Sequence, residues 1–121
     1  MQASDVDAFF ALYGWKPTKL AENSWQAVFA GEHGTFTIRV TLTSDWLYFA
    51  LDLAPYDWQR RHPERLLEAN GRMWLAKFAT DTEGRLLLRA EMPTEGFVYS
   101  HFSDCLGALS HYADHFSNIW K

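Results

Sequence analysis

From Thr35 to Leu53 the chain alternates polar and apolar residues: Thr35, Thr37, Arg39, Thr41 and Thr43 interleave with Phe36, Ile38, Val40 and Leu42. A period of two marks a strand with one wet and one buried face. Leu47, Phe49, Leu51 and Leu53 resume the alternation beyond Ser44-Asp45. With those two residues as the turn, Leu42 opposes Leu47, Val40 opposes Phe49, Ile38 opposes Leu51 and Phe36 opposes Leu53. A one-residue slip would turn every one of these side chains to the wet face, so the register is fixed. Trp25–Ala30 reads as a preceding strand, joined through Gly31-Glu32-His33-Gly34, with Phe29 opposing Phe36, Ala27 opposing Ile38 and Trp25 opposing Val40. The three form a meander.

Upstream, Ser4 is expected to cap a short helix with Asp7 in its first turn and Val6, Phe9, Phe10 and Tyr13 as its apolar side; Gly14 stops it. Trp15 to Asn23 reads as a polar connection. Downstream, Ala54 to Arg61 is expected to be a loop. Pro63 suits the first position of a helix over about Pro63–Asn70, ended by Gly71. A second hairpin pairs Met73–Thr80 with Arg85–Met92 through Thr82-Glu83-Gly84, opposing Phe78 to Leu88, Ala76 to Ala90 and Trp74 to Met92. A final helix, capped by Ser100 or Ser103, carries Phe102, Leu106, Leu109, Ala113, Phe116 and Trp120 on one stripe, flanked by Cys105, Tyr112 and Ile119. The expected architecture is α+β, a single domain over residues 1–121. Its order is α-βββ-α-ββ-α, with a five-stranded antiparallel sheet packed against helices.

Apolar content of 48% and six Trp in 121 residues indicate a folded domain with a substantial core. A net charge of −4 with interspersed signs argues against a nucleic-acid surface. Arg60, Arg61 and Arg65, with Trp58 nearby, form the densest basic run and read as a solvated loop entering a helix. A single cysteine, Cys105, allows no internal disulfide and suits a reducing compartment. Met1 to Val6 lacks the features of a signal peptide, and no apolar window approaches the roughly 20 residues of a membrane span. A cytoplasmic protein that does not enter membranes is expected.

Leu66-Leu67-Glu68-Ala69-Asn70, Leu75-Ala76-Lys77-Phe78, the turn Asp81-Thr82-Glu83-Gly84-Arg85 and the long closing helix together resemble a YbjN-type domain. The order, length and acidic balance are similar to the type III secretion chaperone-like superfamily, which includes the YbjN-domain and Tir-chaperone families. The likeness lies mainly over Pro63 to Trp120 and consists of fold-shaping residues. It implies a small cytoplasmic homodimer that binds other proteins, with no catalytic residues to carry over and the client left open.

Candidate chemistry is sparse. His111 and His115 stand four apart with Asp104 on nearly the same helical line, the spacing of a two-histidine metal site. The line lies opposite the apolar stripe, however, and a zinc site needs further ligands and a supporting shell, so a solvated face is the plainer reading. Cys105 sits at the stripe's edge without a neighbouring Lys or Arg, and His101, four residues away, could pair with it; no orienting third residue is evident, so a structural thiol is expected. Asp52 and Asp57 have no fixed separation, and a diagonal Arg39–Asp52 ion pair explains the first of them. Gly-x-Ser-x-Gly, a Walker loop and a Rossmann fingerprint are absent. The expectation is a protein that is not an enzyme and carries no cofactor.

Trp46 and Tyr48 alternate with the inward residues of their strand and so emerge on the wet face, joined in the expected register by Met73, Leu75 and Leu87. Trp and Tyr each present about 150–250 Å². Removing about 500 Å² from water is favourable by roughly 12 kcal/mol before the costs of association. Either the protein's own helices or the Pro55–Trp58 loop cover this patch, or a second copy or protein client does. The expectation is a module that binds a protein or peptide through Trp46, Tyr48, Met73, Leu75 and Leu87, as a homodimer. Its rival is a small-ligand or metal-binding protein using His111, His115 and Asp104.

Overall fold

The computed structural model describes residues 1–53 and 63–120. The elements are α1 (Ala3–Tyr13), β1 (Thr18–Ala21), β2 (Ser24–Gly31), β3 (Gly34–Leu42), β4 (Trp46–Asp52), α2 (Pro63–Asn70), β5 (Lys77–Thr80), β6 (Leu86–Pro93), α3 (Tyr99–His115) and α4 (Ser117–Trp120). The strands form one antiparallel sheet of six in the order β1-β2-β3-β4-β6-β5. The α+β class is as expected; the sheet has one strand more than the sequence suggested.

The central meander has the expected register. Val40 faces Phe49, Ile38 faces Leu51 and Leu42 faces Leu47, while Trp25, Ala27 and Phe29 face Val40, Ile38 and Phe36. The Thr43 N–H donates to the Trp46 carbonyl at 2.9 Å, closing the Ser44-Asp45 turn. The inward residues of β2, β3, β4 and β6 are buried apart from the half-buried Phe29 and Met92, and the helices supply Val6, Phe10, Phe102, Leu106, Leu109, Ala113 and Trp120 to the same core. Phe102 is its aromatic centre, with ring centroids of Phe10, Phe49 and Phe9 at 5.0, 5.7 and 5.5 Å.

The sixth strand, β1, lies within the expected connection. Thr18, Lys19 and Ala21 pair with Gln26, Trp25 and Ser24, yet all four of its side chains are exposed. Backbone pairing holds it, with no inward apolar alternation to betray it. Lys19 lies over the Trp25 ring at 5.5 Å and 3.8 Å from Asp7. Asp7 in turn accepts the Trp25 indole N–H at 2.8 Å, joining α1 to the sheet.

The second hairpin is shorter than expected. Phe78 faces Leu88 as predicted, but β5 begins at Lys77, and the pairs Ala76–Ala90 and Trp74–Met92 do not form. Leu75 has φ of 73°, and the Ala76 N–H donates to the Trp74 carbonyl at 2.8 Å, a tight turn with positive φ. The Trp74 N–H goes to the Tyr112 hydroxyl at 2.8 Å, and the Lys77 ammonium binds the carbonyls of Asn70 and Met73. These partners pull 73–76 out of the sheet.

Both long helices start one or more residues before the expected serines. In α1 the Gln2 N–H donates to Asp5 Oδ2 at 2.7 Å. In α3 the Val98 N–H donates to His101 Nδ1 at 3.4 Å. Gly14 closes α1 with φ of 87°. The apolar stripe of the closing segment is buried as expected, but the helix breaks at Phe116, and the Trp120 indole N–H reaches back to the Ala113 carbonyl at 2.9 Å. A Cβ at Gly31 would stand 2.9 Å from an Asp114 oxygen and from the Phe36 ring, so glycine there lets the end of α3 close over the β2–β3 turn.

Candidate docking surface on the outer sheet face

Among the described residues the helices gather on the inward face of the sheet, leaving the other face as the candidate surface. Its residues follow from alternation: Ser24, Gln26 and Val28 of β2, Thr37, Arg39 and Thr41 of β3, Trp46, Tyr48, Ala50 and Asp52 of β4, Leu87, Arg89 and Glu91 of β6. Val28 is 60% exposed and Trp46 40%. Ion pairs run across this face: Arg39 to Asp52 at 2.9 Å, the expected diagonal, and Arg89 to Glu91 at 3.3 Å.

Tyr48 is half-buried. The Arg89 guanidinium lies 5.3 Å above its ring, reached from the neighbouring strand, where Arg89 opposes Ala50. Tyr48, Ala50, Leu87 and Arg89 then line a shallow concavity of about 410 Å³, bounded on one side by Thr80, Asp81 and Thr82 of the β5–β6 turn. The turn is rigid: Asp81 Oδ1 accepts the N–H groups of Glu83 and Arg85 at 2.9 Å each, and Oδ2 accepts from Arg85 Nε at 3.0 Å. Those bonds, the Arg85 backbone N–H foremost, hold the Asp81 carboxyl below its ordinary range.

Of the five residues assigned to the surface from sequence, Trp46 and Tyr48 project onto this face and Leu87 forms part of its floor, 5% exposed. Met73 does not emerge there, because β5 starts four residues later; it is buried in the core. Leu75 lies in the positive-φ turn outside the sheet, packed against the core's margin. Val28 was missed, although its place in the Trp25–Ala30 alternation assigns it to the outer face.

The edges of the sheet differ. At β5, Asn70 Nδ2 donates to the Phe78 carbonyl at 3.1 Å and Asn70 Oδ1 accepts the Phe78 N–H at 2.7 Å, so a side-chain amide stands where a further strand would pair. Beside it, Pro63, Leu66, Leu67 and Phe78 line an apolar groove of about 360 Å³. Among the described residues no strand pairs with the other side of β1.

The rival site does not assemble as a metal centre. The His111 and His115 rings stack at 5.3 Å, and Asp104 is exposed on the same helix. Among the described residues no three metal-ligating side chains come together. Cys105 is fully buried, and burial, followed by the nearby Asp104 charge, pushes its thiol up to about 12. His101 is occupied with Val98 and with the Phe97 ring. Trp58, Arg60, Arg61, Asp57 and the Pro55–Trp58 loop lie outside the described residues. Among the described residues no helix is long and apolar enough to cross a membrane.

Among the described residues the α+β layer thus carries its helices on one face of the sheet, with Val28 and Trp46 exposed on the other. The model of the Tir chaperone protein (CesT) family matches residues 6–117, and the chain belongs to that family, within the type III secretion chaperone-like superfamily. The match extends the likeness seen in the second half of the sequence back over α1 and the meander. Among solved structures the chain is similar to a chain of the ExsC–ExsE complex, with 18% identity, a TM-score of 0.68, and 99% of this chain and 97% of that one covered. It is similar also to a chain of the HopA1–SchA chaperone–effector complex, with 14% identity, a TM-score of 0.67, and coverage of 93% and 89%. At these identities the two structures speak for the fold. No curated protein sequence matches the chain.

Proposed function

We propose that this protein is a cytoplasmic, non-enzymatic chaperone that holds a segment of a client protein against its outer sheet face, and that it works as a homodimer. The observation that carries the reading is the exposure of Trp46 on that face, where it stands 40% exposed beside Tyr48 and its Arg89 cover. An amphipathic or extended segment laid there removes the indole and Val28 from water and fills the concavity above Leu87. Family membership supports a protein as ligand, and the HopA1–SchA pair, a chaperone with an effector, supports an effector-type client. Among the described residues a client that adds a strand has the β1 edge open to it: Asn70 occupies the β5 edge, whereas β1 presents backbone groups.

The test is the double variant Trp46→Ser, Tyr48→Ser. We expect unchanged circular dichroism, loss of client co-purification from the native cell, and an altered mass in solution if the same face joins two copies. Unchanged client and unchanged mass would overturn the assignment of this face.

A further inference from the structure

We propose that the cleft between α2 and the α3–α4 junction is a binding site for a small phosphate monoester, separate from the outer sheet face. The cleft holds about 330 Å³ and is lined by Arg65 and Glu68 of α2, Arg72 just beyond it, His115 and Phe116 at the end of α3, and Asn118 of α4. Arginines elsewhere in the described chain are matched to carboxylates: Arg39 to Asp52, Arg85 to Asp81 and Arg89 to Glu91, all within 3.3 Å. Arg65 and Arg72 are the exceptions. Neither has a carboxylate within ion-pairing distance among the described residues, and both line the same cleft. Two unmatched guanidinium groups converging on one opening suit an oxyanion able to accept paired N–H donors.

The floor of the cleft fixes the donors. The Arg72 guanidinium lies 5.8 Å from the Phe116 ring centroid. His115 stands edge-on to the same ring at 4.7 Å and is stacked on His111 from the other side. One buried ring therefore orients a guanidinium and an imidazole from two different elements. Asn118 adds an amide. Glu68 sets the selectivity: its charge cancels one arginine, so these three groups leave one net positive charge beside the His115 ring. Such a balance favours a dianion over a monocarboxylate. The volume exceeds what orthophosphate alone occupies, leaving room for the organic group of an ester, whose hydroxyls Glu68 can accept.

The experiment titrates the full chain by calorimetry with glycerol 3-phosphate, inorganic phosphate and acetate at constant ionic strength. We expect saturable binding of glycerol 3-phosphate, weaker binding of phosphate and least of acetate. The Arg65→Gln, Arg72→Gln variant should lose about tenfold or more in affinity with an unchanged melting temperature, since each guanidinium contributes charge-assisted hydrogen bonds. Glu68→Gln should bind several-fold more tightly, an effect that a purely structural role would not produce. No binding of glycerol 3-phosphate at about 10 mM, a level at which even a Kd of several millimolar is detected, would overturn the proposal. So would equal affinity in the double variant, or acetate binding as well as the ester. The Trp46 and Tyr48 variant should bind the ester normally, which separates this site from the docking face.

Discussion

Asn70 and Phe78 are joined by two hydrogen bonds, amide to backbone in both directions, at 2.7 and 3.1 Å. The pairing copies what a neighbouring strand offers, so the last turn of α2 both anchors β5 and closes its edge. Asn70→Ala should cost about 2–3 kcal/mol, because two part-buried backbone groups lose their partners. It should also expose the edge to pairing with other chains. Urea denaturation and light scattering at rising concentration read the two effects. A stable, monodisperse variant would show that α2 docks by its apolar groove alone.

Phe102 should be the most costly single truncation. It is fully buried against rings from α1 and β4 and against Tyr99 of its own helix, so Phe102→Ala leaves a cavity at the meeting of three elements. We expect a loss of about 3–5 kcal/mol in chemical denaturation. A loss below about 1 kcal/mol would mean that the surrounding rings collapse into the space.

Asp7→Ala strands the buried Trp25 indole N–H and frees Lys19. The expected cost is about 1–2 kcal/mol, with a red shift of tryptophan emission as α1 loosens. Asp7→Asn keeps an acceptor and should recover much of the stability. Equal losses in both variants would show that charge, not acceptance, is what Trp25 requires.

The β5–β6 turn should respond to acid. Asp81 is held below its ordinary range chiefly by the Arg85 backbone N–H and its side chain, so its contribution is complete above about pH 4. It fades as pH falls through the lower folded value. The difference in urea midpoint between wild type and Asp81→Asn should therefore be constant from pH 7 to pH 5 and shrink below pH 4. A gap that persists undiminished at pH 2 would refute the linkage.

Cys105, with its thiol pushed up to about 12, should ignore thiol reagents in the folded protein. Labelling at pH 8 should follow the rate of opening and be independent of reagent concentration; a second-order reaction would place the sulfur at the surface.

The parts of the fold legible in the sequence are those where side chains alternate against a common core. Threonines opposite Phe36, Ile38 and Val40 fixed the meander's register because a slip would bury them. The same rule fails where backbone or distant partners decide. In β1 every side chain is exposed, so no pattern marks it. At 73–76 the alternation of Met73, Trp74, Leu75 and Ala76 continues that of β5, yet Tyr112 and Lys77 capture the backbone instead. That displacement removed Met73 and Leu75 from the outer face while leaving Trp46, Tyr48 and Leu87 in place. The cleft of Arg65 and Arg72 was hidden for a related reason: the two face His115 only after α2 packs beside α4.

Because β6 is wedged between β4 and β5, the chain builds its outermost strand before the one that must seat inside it. During synthesis the far side of β4 stays bare from Asp52 until Leu86–Pro93 has emerged, and the ribosome holds a half-finished sheet through that interval. A protein whose proposed task is to shelter other chains is itself exposed, at that stage, to the same hazard.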